Sequence, residues 1–186
     1  MVSKLLIIYA HPNKNGFCGE VLNQILKNVK KCEILDLYSL KFNAILSNVE
    51  LNAKGNKKSE EILKIQEKIR TSKLIFIYPT WWQNMPAILK GFVDRVFSHN
   101  FAYKYVGNMP KGLLSGKAIA ITTCGAPKFY FTLFKGGRAL KVLTKDSLDF
   151  CGLKTKGFVI GSARELNDEK KKEIDKVVKK ALKWLD

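Results

Sequence analysis

Five short apolar runs, separated by amphipathic segments, constrain this chain more than any other feature of its sequence. The runs are KLLIIYA (4–10), CEILDL (32–37), KLIFIYP (73–79), KAIAITT (117–123) and TKGFVIG (155–161). Each is rich in β-branched or aromatic residues and lacks clean two-residue alternation. That pattern belongs to strands buried on both faces of a parallel sheet. Helical periodicity fills the gaps. Val21, Leu22, Ile25, Leu26 and Val29 make one apolar stripe, and Ile62, Ile65 and Ile69 mark a second helix. Ile88, Leu89, Phe92, Val93, Val96 and Phe97 predict a third, with Pro86 suited to its first turn. A fourth is predicted within 130–150, weakened by Gly136 and Gly137. The last, about 167–185, carries Ile174, Val177, Val178, Ala181, Leu182 and Leu185, with Asn167 as its N-cap.

Five strands alternating with five helices predict a doubly wound α/β sheet with helices on both faces. Right-handed crossovers then favour the flavodoxin-like strand order 2-1-3-4-5. The six-stranded dinucleotide fold is disfavoured, because five strands use up the chain and no G-x-G-x-x-G follows the first. With 186 residues and neither repeat nor linker, residues 1–186 are expected to form a single domain. Residues 1–10 read as a strand rather than a signal peptide, and no apolar run reaches the length of a bilayer span. A cytoplasmic protein with no stable membrane insertion is expected.

Cys18, Cys32, Cys124 and Cys151 include no C-x-x-C pair, and His11 and His99 are the only histidines, so no metal site is expected. The cysteines read as reduced thiols. A net charge of +17 draws attention to anionic partners, but the excess is mostly lysine at helical surface spacing, as at Lys172, Lys176, Lys179 and Lys183. A solvated surface is the favoured reading, with steering of phosphate-bearing substrates as a by-product and no role in binding nucleic acid.

In a sheet of this order the ligand site lies beyond the carboxyl ends of the strands, at the switch point between strands 1 and 3. Three unusual loops follow strands 1, 3 and 4. The first, AHPNKNGFCGE (10–20), places Gly16 before a helix, with His11 and Lys14 as added donors. It reads as a phosphate cradle or as a plain polar turn, in equal measure. The second opens with Pro79, Thr80, Trp81, Trp82 and Gln83. Two adjacent tryptophans here either meet a planar aromatic ligand or fill core and interface space. In the third, Thr122, Thr123 and Gly125 allow close backbone approach, and Cys124 reads as a small buried residue rather than a nucleophile. Tyr130 is placed to donate a proton or to cap the loop. The three loops together suit a flavin, with its phosphate at the first and its ring at the other two.

At these loops the sequence resembles the NAD(P)H:quinone oxidoreductase family, the DT-diaphorase-like flavoproteins of flavodoxin-2 type. The likeness rests on P-x-x-W…P-A-x-L-K-G-F-x-D-R-V-F (79–97), FAYKY (101–105), ITTCGAP…Y (121–130) and FCG (150–152). It implies FMN or FAD held by His11, Phe17 and Cys18 at the phosphate and ribityl chain. Pro79, Thr80, Trp81, Trp82 and Gln83 would line one side of the ring, and Thr122, Thr123, Cys124 and Gly125 another. It further implies Tyr130 as the catalytic tyrosine, and Tyr103 and Tyr105 as acceptor-pocket aromatics contributed across a homodimer interface.

Departures from the family pattern are Gly16-Phe17-Cys18 for Ser-Phe-Asn, Cys124 for glycine, and Gly136 where some members carry a histidine. The activity implied is ping-pong hydride transfer from NAD(P)H through the flavin to a quinone-like acceptor. A flavodoxin-type electron carrier and a flavin-binding regulatory subunit of a membrane transporter stand as alternatives.

Overall fold

A computed structural model describes residues 4–52 and 58–186; Met1–Ser3, part of the expected N-terminal strand, lie outside the described residues. In chain order come β1 (Lys4–Tyr9), α1 (Phe17–Asn28), β2 (Glu33–Asp36), α2 (Asn48–Asn52), α3 (Glu60–Arg70) and β3 (Ser72–Pro79). They are followed by α4 (Ala87–Val96), β4 (Tyr103–Val106), β5 (Met109–Gly112), β6 (Lys117–Thr123), α5 (Arg138–Leu143), β7 (Lys154–Ile160) and α6 (Asp168–Leu185). Two π-helical turns, Tyr130–Phe134 and Thr144–Asp149, flank α5.

The main sheet is parallel throughout, in the order β2-β1-β3-β6-β7, which is 2-1-3-4-5 counted over its own strands. The apolar runs do alternate, but between two cores. Leu6, Ile8, Leu74, Phe76, Tyr78, Ala118 and Ala120 face α3, α4 and α5. Ile7, Tyr9, Ile75, Ile77, Ile119 and Ile121 face α1 and α6. Successive side chains on a strand point to opposite faces, so a strand covered on both sides must be apolar at every position.

The helices follow from their stripes. α1 buries Val21, Leu22 and Ile25 against the sheet, its C-cap residue Val29 packs partly buried on the same core, and Leu26 is exposed. Asn167 caps α6 as expected, its side chain accepting from the Lys170 N–H at 2.9 Å, an interaction worth about 1 kcal/mol. The single helix expected within 130–150 is broken once, and past the break α5 runs on without interruption into the second π-helical turn. Gly136 and Gly137 both take left-handed backbone, φ 61° and 63°, which no continuous helix accommodates. The β4–β5 hairpin and the five-residue α2 had no counterpart in the sequence reading. Among the described residues no helix is long and apolar enough to cross a membrane.

Candidate active site at the carboxyl rim

Strand register decides where the loops meet. Tyr9 is level with Ile77, Pro79 with Thr123, and Thr123 with Ile160. Hydrogen bonding continues one step past each strand end: Ala10 N–H donates to Ile77 O at 2.9 Å, Thr80 N–H to Thr123 O at 2.8 Å, and Cys124 N–H to Ile160 O at 2.9 Å. The three loops therefore leave the sheet at one rim, beside the switch point.

They enclose a cavity of about 300 Å³, lined by His11, Gly16, Phe17, Cys18, Pro79, Thr80, Trp81, Thr123, Cys124 and Gly125, with Ala163 from the loop after β7. At one end stands the N-terminus of α1. Its N-cap Gly16 makes no side-chain capping bond, so the first amides have no intrahelical acceptor. These N–H groups and the positive end of the helix suit an anion. A side-chain carbon at Gly16 or Gly125 would meet nothing, which keeps the space open. Gly19, one turn in, is tightly constrained: a Cβ there would lie 1.7 Å from Lys14 O, so the loop crosses directly over the helix.

The polar groups of the walls are held from behind. The Thr80 and Thr122 hydroxyls share a hydrogen bond at 2.9 Å, and Thr122 is fully buried. Cys18 Sγ lies 3.4 Å from the Thr123 hydroxyl. Burial pushes the Cys18 thiol up to about 12, against the weaker opposing effect of Thr123, so it stays protonated at neutral pH and is no nucleophile. Burial also raises the Cys124 thiol. His11 Nδ1 folds back on the Asn13 backbone, 3.0 Å from N and 2.7 Å from O, leaving Nε2 available to a ligand. The His11 and Trp81 rings stand 5.9 Å apart at 56°. Lys14 turns away from the cradle to pair with Asp36 at 2.6 Å.

Trp81 and Asn84 exchange backbone hydrogen bonds at 2.9 Å in both directions, closing a two-residue turn over Trp82 and Gln83. Both central residues are left-handed, φ 49° and 58°, where glycine or asparagine is usual. The turn throws Trp82 out to full exposure. Trp82 and Gln83 line not the first cavity but a second on the other side of the turn, together with Phe134 and Arg138.

Two further sets stand apart from the first cavity. Tyr130, 38% exposed, opens the first π-helical turn and stacks on Phe134 at 5.5 Å. Tyr103 and Tyr105 on β4 form a cluster with His99 and Phe150, with Tyr103 edge-on to Phe150 at 5.2 Å. Sequence reasoning missed Ala163, Asn84 and Phe134. Ala163 follows the last strand at the same rim, a position the fold itself marks, whereas Phe134 reaches the site only through the π-helical turn. Among the described residues no group of three or more His, Cys, Asp or Glu side chains is placed to hold a metal ion.

The flavodoxin-like fold family, Flavodoxin_2, matches residues 3–185. An uncharacterized NAD(P)H oxidoreductase of Haemophilus influenzae is 36% identical over 174 residues, covering 89% of this chain and 86% of that protein. The human ribosyldihydronicotinamide dehydrogenase [quinone] is 31% identical over 198 residues, covering 91% and 86%. Among solved structures, Smu.1420 of Streptococcus mutans superposes with a TM-score of 0.85 at 36% identity over 95% of this chain and 97% of that one. The rim-centred cavity, the sheet order and these likenesses converge: the chain belongs to the flavodoxin-like family that includes the NAD(P)H:quinone oxidoreductases.

Proposed function

We propose that this protein is a flavin-dependent NAD(P)H oxidoreductase that passes hydride to a quinone-like acceptor in a ping-pong sequence. The observation that carries the reading is the rim cavity, with uncapped helix amides at one end and Trp81 at the other, while Trp82 of the same turn faces the adjoining second cavity. That donor set fits a phosphorylated flavin: charge at the α1 amides, a planar ring toward Trp81 and Trp82. When bound, the flavin supplies two-electron hydride acceptance and donation.

The chain's own residues do the positioning. The α1 amides neutralise the phosphate, Phe17 and Cys18 close the space behind it, and His11 Nε2 adds a donor. Trp81 would hold the ring end of the cavity, and amides of the loop after β6 beyond the Cys124 N–H, which Ile160 O already takes, would face the polar edge of the ring. Tyr130 is assigned the proton at the acceptor oxygen, reaching it by rotation of an exposed side chain. Tyr103 and Tyr105 are assigned to the acceptor pocket of a second copy in a homodimer; the exposure of Tyr105, stacked beside His99, supports this. Names of relatives support the donor and acceptor classes: NAD(P)H for the Haemophilus protein and a quinone for the human one. The free thiols of Cys18, Cys32, Cys124 and Cys151 suit a reducing cytoplasm.

The test is the absorbance spectrum of the purified protein, identification by mass of the flavin released on denaturation, and NAD(P)H oxidation with and without a quinone. A yellow protein that oxidises NAD(P)H only when acceptor is present supports the reading. A colourless protein that takes up neither FMN nor FAD overturns it.

A further inference from the structure

The second cavity, beyond the Trp81–Asn84 turn, encloses about 710 Å³ and has its own chemistry. Trp82 and Phe134 give it aromatic walls, and Lys135 and Arg138 give it two cations. The two cations flank the left-handed pair Gly136–Gly137, which turns the chain sharply between the π-helical turn and α5.

Some cations of this chain are already neutralised by a neighbouring carboxylate. Lys14 pairs with Asp36, Lys90 with Asp94, and Lys145 with Asp149. Among the described residues no carboxylate lies within ion-pair distance of Lys135 or Arg138; Lys135 instead sits 5.6 Å from the centre of the Tyr130 ring. The sequence removes local competitors altogether. From Arg95 to Lys145 there is no Asp or Glu, while lysines and arginines recur throughout. Within that stretch the loop after β6 and the start of α5 carry Lys128, Lys135 and Arg138, of which Lys135 and Arg138 line the cavity.

We infer that this cavity recognises the anionic group of a planar ring ligand, with the ring against Trp82 and the anion between Lys135 and Arg138. Which reaction the ring undergoes rests on the oxidoreductase reading above; the preference for an anion does not. The anion has two possible sources, a carboxylate or sulfonate on the acceptor, or the phosphates of the dinucleotide donor. Lys135 and Arg138 act as specificity-determining residues, since neither is needed for a neutral ring to stack.

The experiment begins with binding, using flavin-loaded protein and two unreactive probes, naphthalene-2-sulfonate and the neutral naphthalene-2-sulfonamide, by titration calorimetry. Wild type is expected to favour the sulfonate by about fivefold in about 20 mM salt, and to lose most of that preference in about 0.5 M salt. The double variant Lys135→Gln, Arg138→Gln is expected to bind both probes equally, with sulfonamide affinity and melting temperature unchanged. Arg138→Lys retains most of the preference. Steady-state rates then separate the sources. A rise in KM confined to a naphthoquinone sulfonate, against the neutral naphthoquinone, assigns the anion to the acceptor. A rise confined to NAD(P)H, against a phosphate-free dihydronicotinamide, assigns it to the donor. Equal binding of the two probes by wild type, or a preference undisturbed in the double variant, overturns the inference. A wild type that prefers the sulfonate yet oxidises no NAD(P)H leaves the anion site standing and removes the oxidoreductase reading instead.

Discussion

At the scale of single residues, Trp82 is the side chain whose placement most needs a purpose. It is fully exposed on a left-handed backbone, a combination opposed both by the hydration of a large apolar ring and by the clash of its Cβ with the backbone. Because it supports nothing in the core, Trp82→Ala is expected to leave the melting temperature nearly unchanged while slowing reduction of aromatic acceptors by up to about tenfold, the value of one ring stacking. Tyr130→Phe keeps the stack on Phe134 and removes only the hydroxyl, so a slower turnover without loss of stability is expected. Stopped-flow rates beside thermal melts check both. If neither variant changes a rate, the ring binds elsewhere. The two tryptophans were conspicuous in the sequence as a pair, but their division of labour was not. It depends on the backbone bridge that sends Trp81 into one cavity and Trp82 toward another.

At the scale of elements, the phosphate cradle depends on how closely α1 approaches the loop before it. Gly19 is the point of contact, with Lys14 O where any larger residue would place its Cβ. Backbone cannot yield there as a flexible side chain would. Gly19→Ala is therefore expected to push the loop off the helix, lowering flavin affinity at least tenfold, together with a lower melting temperature. Flavin fluorescence titration measures the first effect. The strands were legible because being covered on both faces demands apolar residues at every position. The helices were legible through their stripes. The β4–β5 hairpin was not, since YKYV and MPKG are four residues each and largely exposed, with no apolar face to declare them. Nor was α2, whose five residues are too few for a helical period and are tied down by tertiary contact: Glu50 receives Arg95 through both carboxylate oxygens.

At the scale of the whole molecule, two carboxylates couple folding to pH. The Arg95 guanidinium holds the Glu50 carboxyl below its ordinary value of 4.5. Burial alone would raise Asp36, but Lys14 and Ser39 outweigh it, and the carboxyl lies below 3.8. A depressed value in the folded state means that the unfolded chain binds more protons, so stability rises with pH through that range. The contribution is fully present above about 4.5 and is lost as pH falls through the folded values. Neutralising carboxylates on a chain already at +17 adds self-repulsion in the same direction. Thermal melts are expected to fall steeply below about pH 4.5, and Glu50→Gln to start lower and fall less steeply over that interval. The net charge was plain in the sequence, but that Lys135 and Arg138 are the cations lining the second cavity required the three-dimensional turn at Gly136–Gly137.

The turn that carries Trp82 behaves as a fixed pivot with a loose paddle. Its two backbone hydrogen bonds lock the Cα, while the indole, touching no core, keeps its side-chain rotations. Any guest must still that paddle, at a cost of roughly 1 kcal/mol in rotamer freedom that does not depend on the guest's size. A broad flat molecule recovers that cost over a large contact area and a small one does not. The doorway is thus graded by the area of the visitor's face more than by its outline, and rings of quite different shape can pass the same threshold.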